Sequence, residues 1–231
     1  MEKIKETLTV NEIYPSIQGE STWAGLPCTF IRLTFCDLRC RYCDTEYAFY
    51  EGKKMTFEKI LQQVKKYAIP LVEVTGGEPL LQPQTPQLLT SLCDTGYTVL
   101  LETSGVHDIG QLDPRVHRIM DLKCPSSGES SKNRLENLEH LTRQDEIKFV
   151  IGSREDYEWA REIIRSTKLE TRVKAILFSA VFPIASQLGH IQGHSGIEAK
   201  TLVEWILADH LPVRFQLQMH KFIWPPQQRS V

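Results

Sequence analysis

Cys28-Thr-Phe-Ile-Arg-Leu-Thr-Phe35 runs without a break into Cys36-Asp-Leu-Arg-Cys40-Arg-Tyr-Cys43. The first half is β-branched and aromatic at most positions, which is the composition of a strand. The second half packs three cysteines into a C-x3-C-x2-C spacing, dense enough to wrap one metal site from a single short loop. Three thiolates leave a tetrahedral structural zinc one ligand short, so Cys28, Cys124 or a histidine would have to complete it. An iron–sulfur cube held by three thiolates instead keeps one iron open to something other than protein. The spacing alone allows both.

Outward from this stretch, strand and helix signals alternate. Thr56 can cap a helix whose Phe57, Ile60, Leu61 and Val64 fall on one buried stripe. Pro70-Leu-Val-Glu-Val-Thr75 reads as a strand that stops at Gly76-Gly77, and Pro86 stands near the start of the helix that follows. Tyr97–Thr103, Arg118–Lys123, Glu146–Ile151, Val173–Phe178 and Val213–Gln218 read as further strands. Ser153 with Asp156 resembles a capping box before a helix over Tyr157–Ile164, and another helix is expected near Ile197–Ala208. Cys93 reads as a core residue on its own helix. Alternation of this kind predicts an α/β protein whose parallel sheet curls into a partial, incomplete TIM-like βα barrel of about six parallel strands. The glycine and polar motifs then fall at strand ends, on one mouth: Cys36–Cys43, Thr75–Glu78, Glu102–Ser104 and Asp121–Lys123.

Length and composition set the bounds. With 231 residues, a single domain spanning 1–231 is expected, with its motifs in a core of about 11–224 and a C-terminal tail over 225–231. A net charge of −2 supplies no basic field to gather nucleic acid. The first residues, Met-Glu-Lys-Ile-Lys-Glu-Thr, lack the apolar run of a secretory signal, and no stretch is long and apolar enough for a membrane helix. A cytoplasmic location is therefore expected. In a reducing compartment, clustered cysteines bind metal more often than they form disulfides.

The cysteine loop taken with Thr75-Gly76-Gly77-Glu78-Pro79 resembles the radical S-adenosylmethionine superfamily. A closer resemblance, from Asn11 to Trp224, is to the 7-carboxy-7-deazaguanine synthases. It rests on Tyr14-Pro-Ser-Ile-Gln-Gly-Glu20, Phe30-Ile-Arg-Leu33, Cys43-Asp44-Thr45, Glu102-Thr-Ser-Gly105, Asp121-Leu-Lys-Cys-Pro-Ser-Ser-Gly128 and Gln218-Met-His-Lys-Phe-Ile223. Membership implies a radical lyase that converts 6-carboxy-5,6,7,8-tetrahydropterin to 7-carboxy-7-deazaguanine with release of ammonia, in queuosine and related deazapurine biosynthesis. It implies a [4Fe–4S] cluster on Cys36, Cys40 and Cys43, and Mg2+ on the hydroxyl of Thr45. S-adenosylmethionine would be held by Tyr42, Asp44, Gly77, Glu78, Ser104, Asp121, Leu122 and Lys123. The pterin would meet Ile17, Gln18, Gly19, Glu20, Arg32, Thr75 and His220. The implied radical abstracts hydrogen from C6 of the pterin before the ring contracts.

A reductant protein such as flavodoxin or ferredoxin and a homodimer are implied as partners, with no nucleic acid and no membrane. Two departures stand out. Many relatives carry Ser-Pro-Lys where this chain has Asp121-Leu122-Lys123, and others end soon after the His-Lys-aromatic segment, with a terminal carboxylate in the site. An activating enzyme for glycyl-radical proteins shares the cysteine spacing but would leave Gln18, Glu20 and Thr45 unexplained. A non-catalytic zinc protein is the rival from another class.

Overall fold

Strand β1, Thr7–Ile17, is one that periodicity does not disclose, because it changes face partway along. Its pairing with β2, Pro27–Leu33, matches Val10 to Leu33 but Glu12 to Arg32, so Asn11 is an extra residue in the ladder. A bulge of this kind reverses which side chains point inward. Before it, Leu8 and Val10 join the helix-facing core; after it, Tyr14 turns to the opposite side. The protein is described by a computed structural model covering residues 6–225 and 228–231. Residues 1–5, where the absence of a leader was read, and 226–227 of the expected tail lie outside the described residues.

The sheet has nine strands in the order β3-β1-β2-β4-β5-β6-β7-β8-β9. After β2 come β3 (Lys53–Thr56), β4 (Leu71–Gly76), β5 (Thr98–Thr103), β6 (His117–Asp121), β7 (Glu146–Ile151), β8 (Ala175–Ala180) and β9 (Arg214–Phe215). β1 is antiparallel to both β2 and β3, and every other neighbouring pair is parallel. β3 lies at the edge beside β1, and from β4 to β9 the strands follow one another around the sheet in chain order, which is how right-handed crossovers build an open βα barrel. The expected strand over Val213–Gln218 shortens to Arg214–Phe215.

The helices are α1 (Phe57–Tyr67), α2 (Thr85–Asp94), α3 (Arg154–Thr167), α4 (Ala199–Asp209) and the short α5 (His220–Ile223). Thr56 caps α1 by accepting the Lys59 N–H at 3.3 Å, and Ser153 caps α3 by accepting the Asp156 N–H at 3.1 Å. Each cap contributes about 1 kcal/mol. α3 extends the expected Tyr157–Ile164 helix at both ends. The links from β5 to β6 and from β6 to β7 contain no α-helix; the second is built of 3₁₀ turns at 125–127, 130–132 and 135–140.

Strands in such a sheet are buried on both faces. Val72, Val74, Leu101, Phe149 and Phe178 point outward and pack with Ile60, Leu92, Tyr157 and Leu202 of the helices. Each fully buried side chain of this size contributes roughly 2 kcal/mol. The other face closes on a smaller plug of Tyr14, Cys28, Phe30, Leu71, Leu100 and Ile119, and above it the interior becomes polar. The turn between β1 and β2 crosses to the segment after β9. There Met219 N–H donates to Gly19 O at 2.9 Å, Ser21 N–H to Gln216 Oε1 at 2.8 Å, and Gln218 Nε2 to Glu20 Oε1 at 3.1 Å. These bonds tie the two ends of the partial barrel together.

Candidate active site

β2 ends at Leu33, and the chain reverses at Phe35, a non-glycine residue with φ of 79°. That left-handed conformation costs roughly 1–2 kcal/mol. It is held by the Phe35 N–H bond to Ala48 O at 2.9 Å and by the Glu78 N–H bond to Phe35 O at 2.7 Å. Strict alternation would set Phe35 opposite Arg32, but the strand has ended and the ring is instead exposed. Gly77 permits the close approach of β4's end to this turn: a Cβ there would lie 2.2 Å from Phe35 O. The glycine pair and the cysteine loop are thus bolted together by backbone geometry.

Cys36, Cys40 and Cys43 line one cavity of ≈ 240 Å³ at the C-terminal ends of the strands. Their loop is anchored to the turns after β6, where Arg39 N–H donates to Glu129 Oε1 at 2.8 Å and Arg41 N–H to Ser127 O at 2.9 Å. All six cysteines are free thiols. Burial pushes the Cys36 thiol up to about 11 and, with Asp44 adding to it, Cys43 to about 12; Cys40 is raised as well, chiefly by burial. Among the described residues no three His, Cys, Asp or Glu side chains converge on a single ion. Three soft sulfurs spread around one wall fit an iron–sulfur cube, whose ligands bind separate irons.

Beside the thiols lie Tyr42, Asp44, Thr45, Gly77, Ser104, Asp121 and Lys123, all lining the cavity. The Tyr42 hydroxyl donates to Val150 O at 3.3 Å, and its ring meets His194 edge-on at 5.8 Å. Burial would raise Asp44, but Lys221 at 2.7 Å outweighs it and holds the carboxyl far below the usual carboxylate range. Thr45 Oγ1 donates to Asp44 Oδ1 at 2.9 Å. Lys123 pairs with Asp121 Oδ2 at 2.9 Å, while Asp121 Oδ1 is buried without a partner among the described residues. An orphaned carboxylate oxygen on a cavity wall calls for a donor from a ligand, and S-adenosylmethionine carries amino and hydroxyl donors.

Glu78 and Leu122 do not reach the cavity. Glu78 is fully buried, and its carboxylate accepts from Thr103 Oγ1, Ser104 N–H, Ser104 Oγ and Leu80 N–H at 2.6–3.0 Å. The side chain clamps β4 to the end of β5, and no oxygen is left free for an amino group. Leu122 packs in the helix-facing core, with its N–H donating to Lys148 O at 2.9 Å.

The cavity floor collects Ile17, Gln18, Gly19, Glu20, Arg32, Thr75 and His220 from distant parts of the chain. Arg32 turns inward: its Nε donates to Glu12 Oε1 and its Nη2 to the Tyr14 hydroxyl, both at 2.8 Å. Gly19 is required by the approach of His220, whose Nδ1 would lie 2.6 Å from a Cβ. At the centre Lys148 reaches Glu20 at 3.0 Å and Asp121 at 3.5 Å and contacts Glu102. Burial works against ionised Glu20, yet Lys148 and then His220 hold it down to about 2. Glu73, Lys148, Tyr14 and Tyr47 line the site without an expected role there, and Glu102, expected at the mouth with its Glu102–Ser104 motif, joins them. A signal was present: Glu73 and Glu102 precede Thr75 and Ser104 by two residues and so share their inward face.

The tail also returns to the site. Gln228, Ser230 and Val231 line the cavity, Arg229 pairs with Glu51 at 2.7 Å, and Ser230 Oγ donates to Glu12 Oε2 at 2.7 Å.

Known proteins fit this arrangement. The Radical SAM superfamily is matched over residues 30–177. A 7-carboxy-7-deazaguanine synthase of Koribacter versatilis is 46% identical over 97% of this chain and 100% of its own length. The chain belongs to the 7-carboxy-7-deazaguanine synthase family. A second member, from Chlorobaculum tepidum, is 44% identical over 97% of both chains. In fold, the chain resembles the crystal structure of QueE from Escherichia coli with a TM-score of 0.71, covering 91% of this chain and 94% of that one at 22% identity. The partial barrel expected from the sequence is the fold of this family, and a [4Fe–4S] cluster with S-adenosylmethionine is its cofactor set.

Proposed function

We infer that this enzyme converts 6-carboxy-5,6,7,8-tetrahydropterin to 7-carboxy-7-deazaguanine with release of ammonia. The observation that carries this is one cavity with thiols at its rim and a hydrogen-bonding acid–amide floor beneath them. When bound, the cluster and S-adenosylmethionine supply a 5′-deoxyadenosyl radical. Cys36, Cys40 and Cys43 hold the cluster. Tyr42, Asp44, Gly77, Ser104, Asp121 and Lys123 hold the cofactor, with Asp121 Oδ1 free to accept a donor. Gln18, Glu20 and Thr75 orient the pterin against the radical's source, and the apolar plug beneath excludes water. Arg32, a planar fork already steadied by Glu12 and Tyr14, takes the substrate carboxylate.

The finer assignments follow the same reading. Thr45, a cavity-lining hydroxyl beside Asp44, is the Mg2+ ligand, since that ion favours hard oxygen donors. Electrons come from a one-electron donor protein such as flavodoxin or ferredoxin. Exposed Leu217, Phe222 and Ile223 near the C-terminus suit burial in a homodimer. The continuous sheet suits a single domain. No helix among the described residues is long and apolar enough to cross a membrane, and a cytoplasmic location suits the free thiols. The test is anaerobic turnover of the iron- and sulfide-reconstituted protein with S-adenosylmethionine, dithionite, Mg2+ and the pterin, followed by mass spectrometry. Product that is lost in Cys36→Ala and reduced in Thr45→Ala supports the reading; 5′-deoxyadenosine with unchanged pterin overturns the substrate assignment.

A further inference from the structure

On β4, Leu71, Glu73 and Thr75 alternate toward the barrel interior while Val72 and Val74 pack against the helices. Glu73 therefore stands directly above the apolar plug, beside Phe30 on β2 and Leu100 on β5, and one step below Thr75. It is 1% exposed and faces the cavity. Among the described residues its side chain has one hydrogen-bond partner, Gln18, whose Nε2 donates to Glu73 Oε2 at 2.9 Å. The other end of the Gln18 amide accepts the Glu20 N–H at 2.6 Å. These two bonds fix the amide in one orientation.

Glu73 is also the floor acid with no salt-bridge partner among the described residues. Glu20 and Glu102 share Lys148, and Asp121 has Lys123. The groups that face Glu73 are Tyr14 from β1, Glu20 from the turn after it, Cys28 from β2, Glu102 from β5 and Lys148 from β7. Burial, with Glu102 adding to it, pushes the Glu73 carboxyl up to about 8. Burial above the apolar plug with no salt-bridge cation favours the carboxylic acid form, which offers one donor and one acceptor.

We propose that Glu73 is a specificity-determining residue for the pterin, pairing its carboxyl group with the ring edge that carries the 2-amino donor beside a ring-nitrogen acceptor while it holds Gln18 in place. The inference rests on the substrate assigned above. A neutral acid matches such an edge with two parallel hydrogen bonds. Ionisation removes the donor and adds a charge beside Glu20 and Glu102. A site built to hydrogen-bond a substrate discriminates strongly against an analogue that leaves its buried polar group unpaired.

The experiment compares reconstituted wild type, Glu73→Leu and Glu73→Gln on 6-carboxytetrahydropterin and on the same compound without its 2-amino group. Glu73→Leu should raise KM for the pterin about 10- to 100-fold, leave KM for S-adenosylmethionine unchanged, and lose the preference for the amino-bearing substrate. Glu73→Gln supplies a donor and an acceptor at every pH. It should recover most of the lost affinity at pH 7 and abolish the fall in kcat/KM that is expected of wild type as pH rises through about 8. Retained preference in Glu73→Leu, or an unchanged alkaline fall in Glu73→Gln, overturns the proposal. The amide variant answers the question even if the leucine variant does not fold. If wild type converts no pterin, the substrate assignment itself has failed and the proposal falls with it.

Discussion

The floor and the rim of the same cavity are finished to different degrees. At the floor, Lys148 sits among Glu20, Glu102 and Asp121, and Arg32 is bound by Glu12 and Tyr14. The chain supplies both signs of charge, so the arrangement is complete when the protein folds. At the rim, three thiols face the cavity under the influence of burial, and the cation nearest in effect, Lys123, is already paired with Asp121. Burial without compensation keeps thiols protonated, and only a metal's charge reverses that. On the assignments proposed above, the rim is left for the cluster to complete, while the charges of the floor are paired before a substrate arrives.

Breaking the rim should abolish function and spare the fold. Cys36→Ala is expected to eliminate both bound iron and product, while the urea midpoint of the cluster-free protein stays near wild type; iron per chain and denaturation of the same sample check this. Breaking the floor should do the reverse to stability. Lys148→Met leaves Glu20 and Glu102 without their salt-bridge cation, and only Asp121 keeps one, Lys123; stranding the two buried acids costs about 3–5 kcal/mol. A urea titration that finds no loss would show that the floor charges are not held by Lys148. Glu78 extends the contrast to a group expected to bind cofactor. With its carboxylate spent on Thr103, Ser104 and Leu80, Glu78→Ala should cost about 2–3 kcal/mol by stranding buried donors. Its effect on KM for S-adenosylmethionine should be no larger than its effect on stability.

The rim was legible in the sequence because its three cysteines are close together in the chain, and their spacing points to metal chemistry. Strands β4 to β8 were legible as short apolar runs, since both of their faces are buried. The floor was legible only where the family resemblance reached. Lys148 lies inside an apolar strand, and Glu73 and Glu102 look like the polar positions of a half-exposed sheet. Only the barrel turns those positions into an interior, and its side chains come from strands far apart in sequence. β1 was hidden for a different reason: the extra residue at Asn11 breaks the period of two on which strand recognition depends. That break is functional in its consequence, because it brings Glu12 and Tyr14 to the side of Arg32.

The contrast between rim and floor sharpens at Glu46, in the 3₁₀ turn Glu46–Phe49 just after the cysteine loop. Its buried carboxylate accepts from Ser186 Oγ, from the Gln187 N–H, from the Leu188 N–H at 2.8 Å and from the His190 N–H at 3.1 Å. Those donors all lie in the loop between β8 and α4, so one side chain pins that loop beside the cysteine segment. Burial alone would raise this acid, but the Leu188 N–H and the Ser186 hydroxyl outweigh it and hold it below its ordinary value of 4.5. A depressed carboxyl contributes stability above its unfolded value and loses it as pH falls through the folded value. Glu46→Ala should therefore cost about 1 kcal/mol at pH 7, and that cost should shrink well below pH 4.5. Thermal midpoints of the two proteins at the two pH values measure the difference, and limited proteolysis should find the 183–196 loop cut sooner in the variant. A pH-independent cost would mean that the loop is held by packing and not by the carboxylate. In that case the Asp44–Lys221 pair, and not Glu46, would be the charged tie on that side of the cavity.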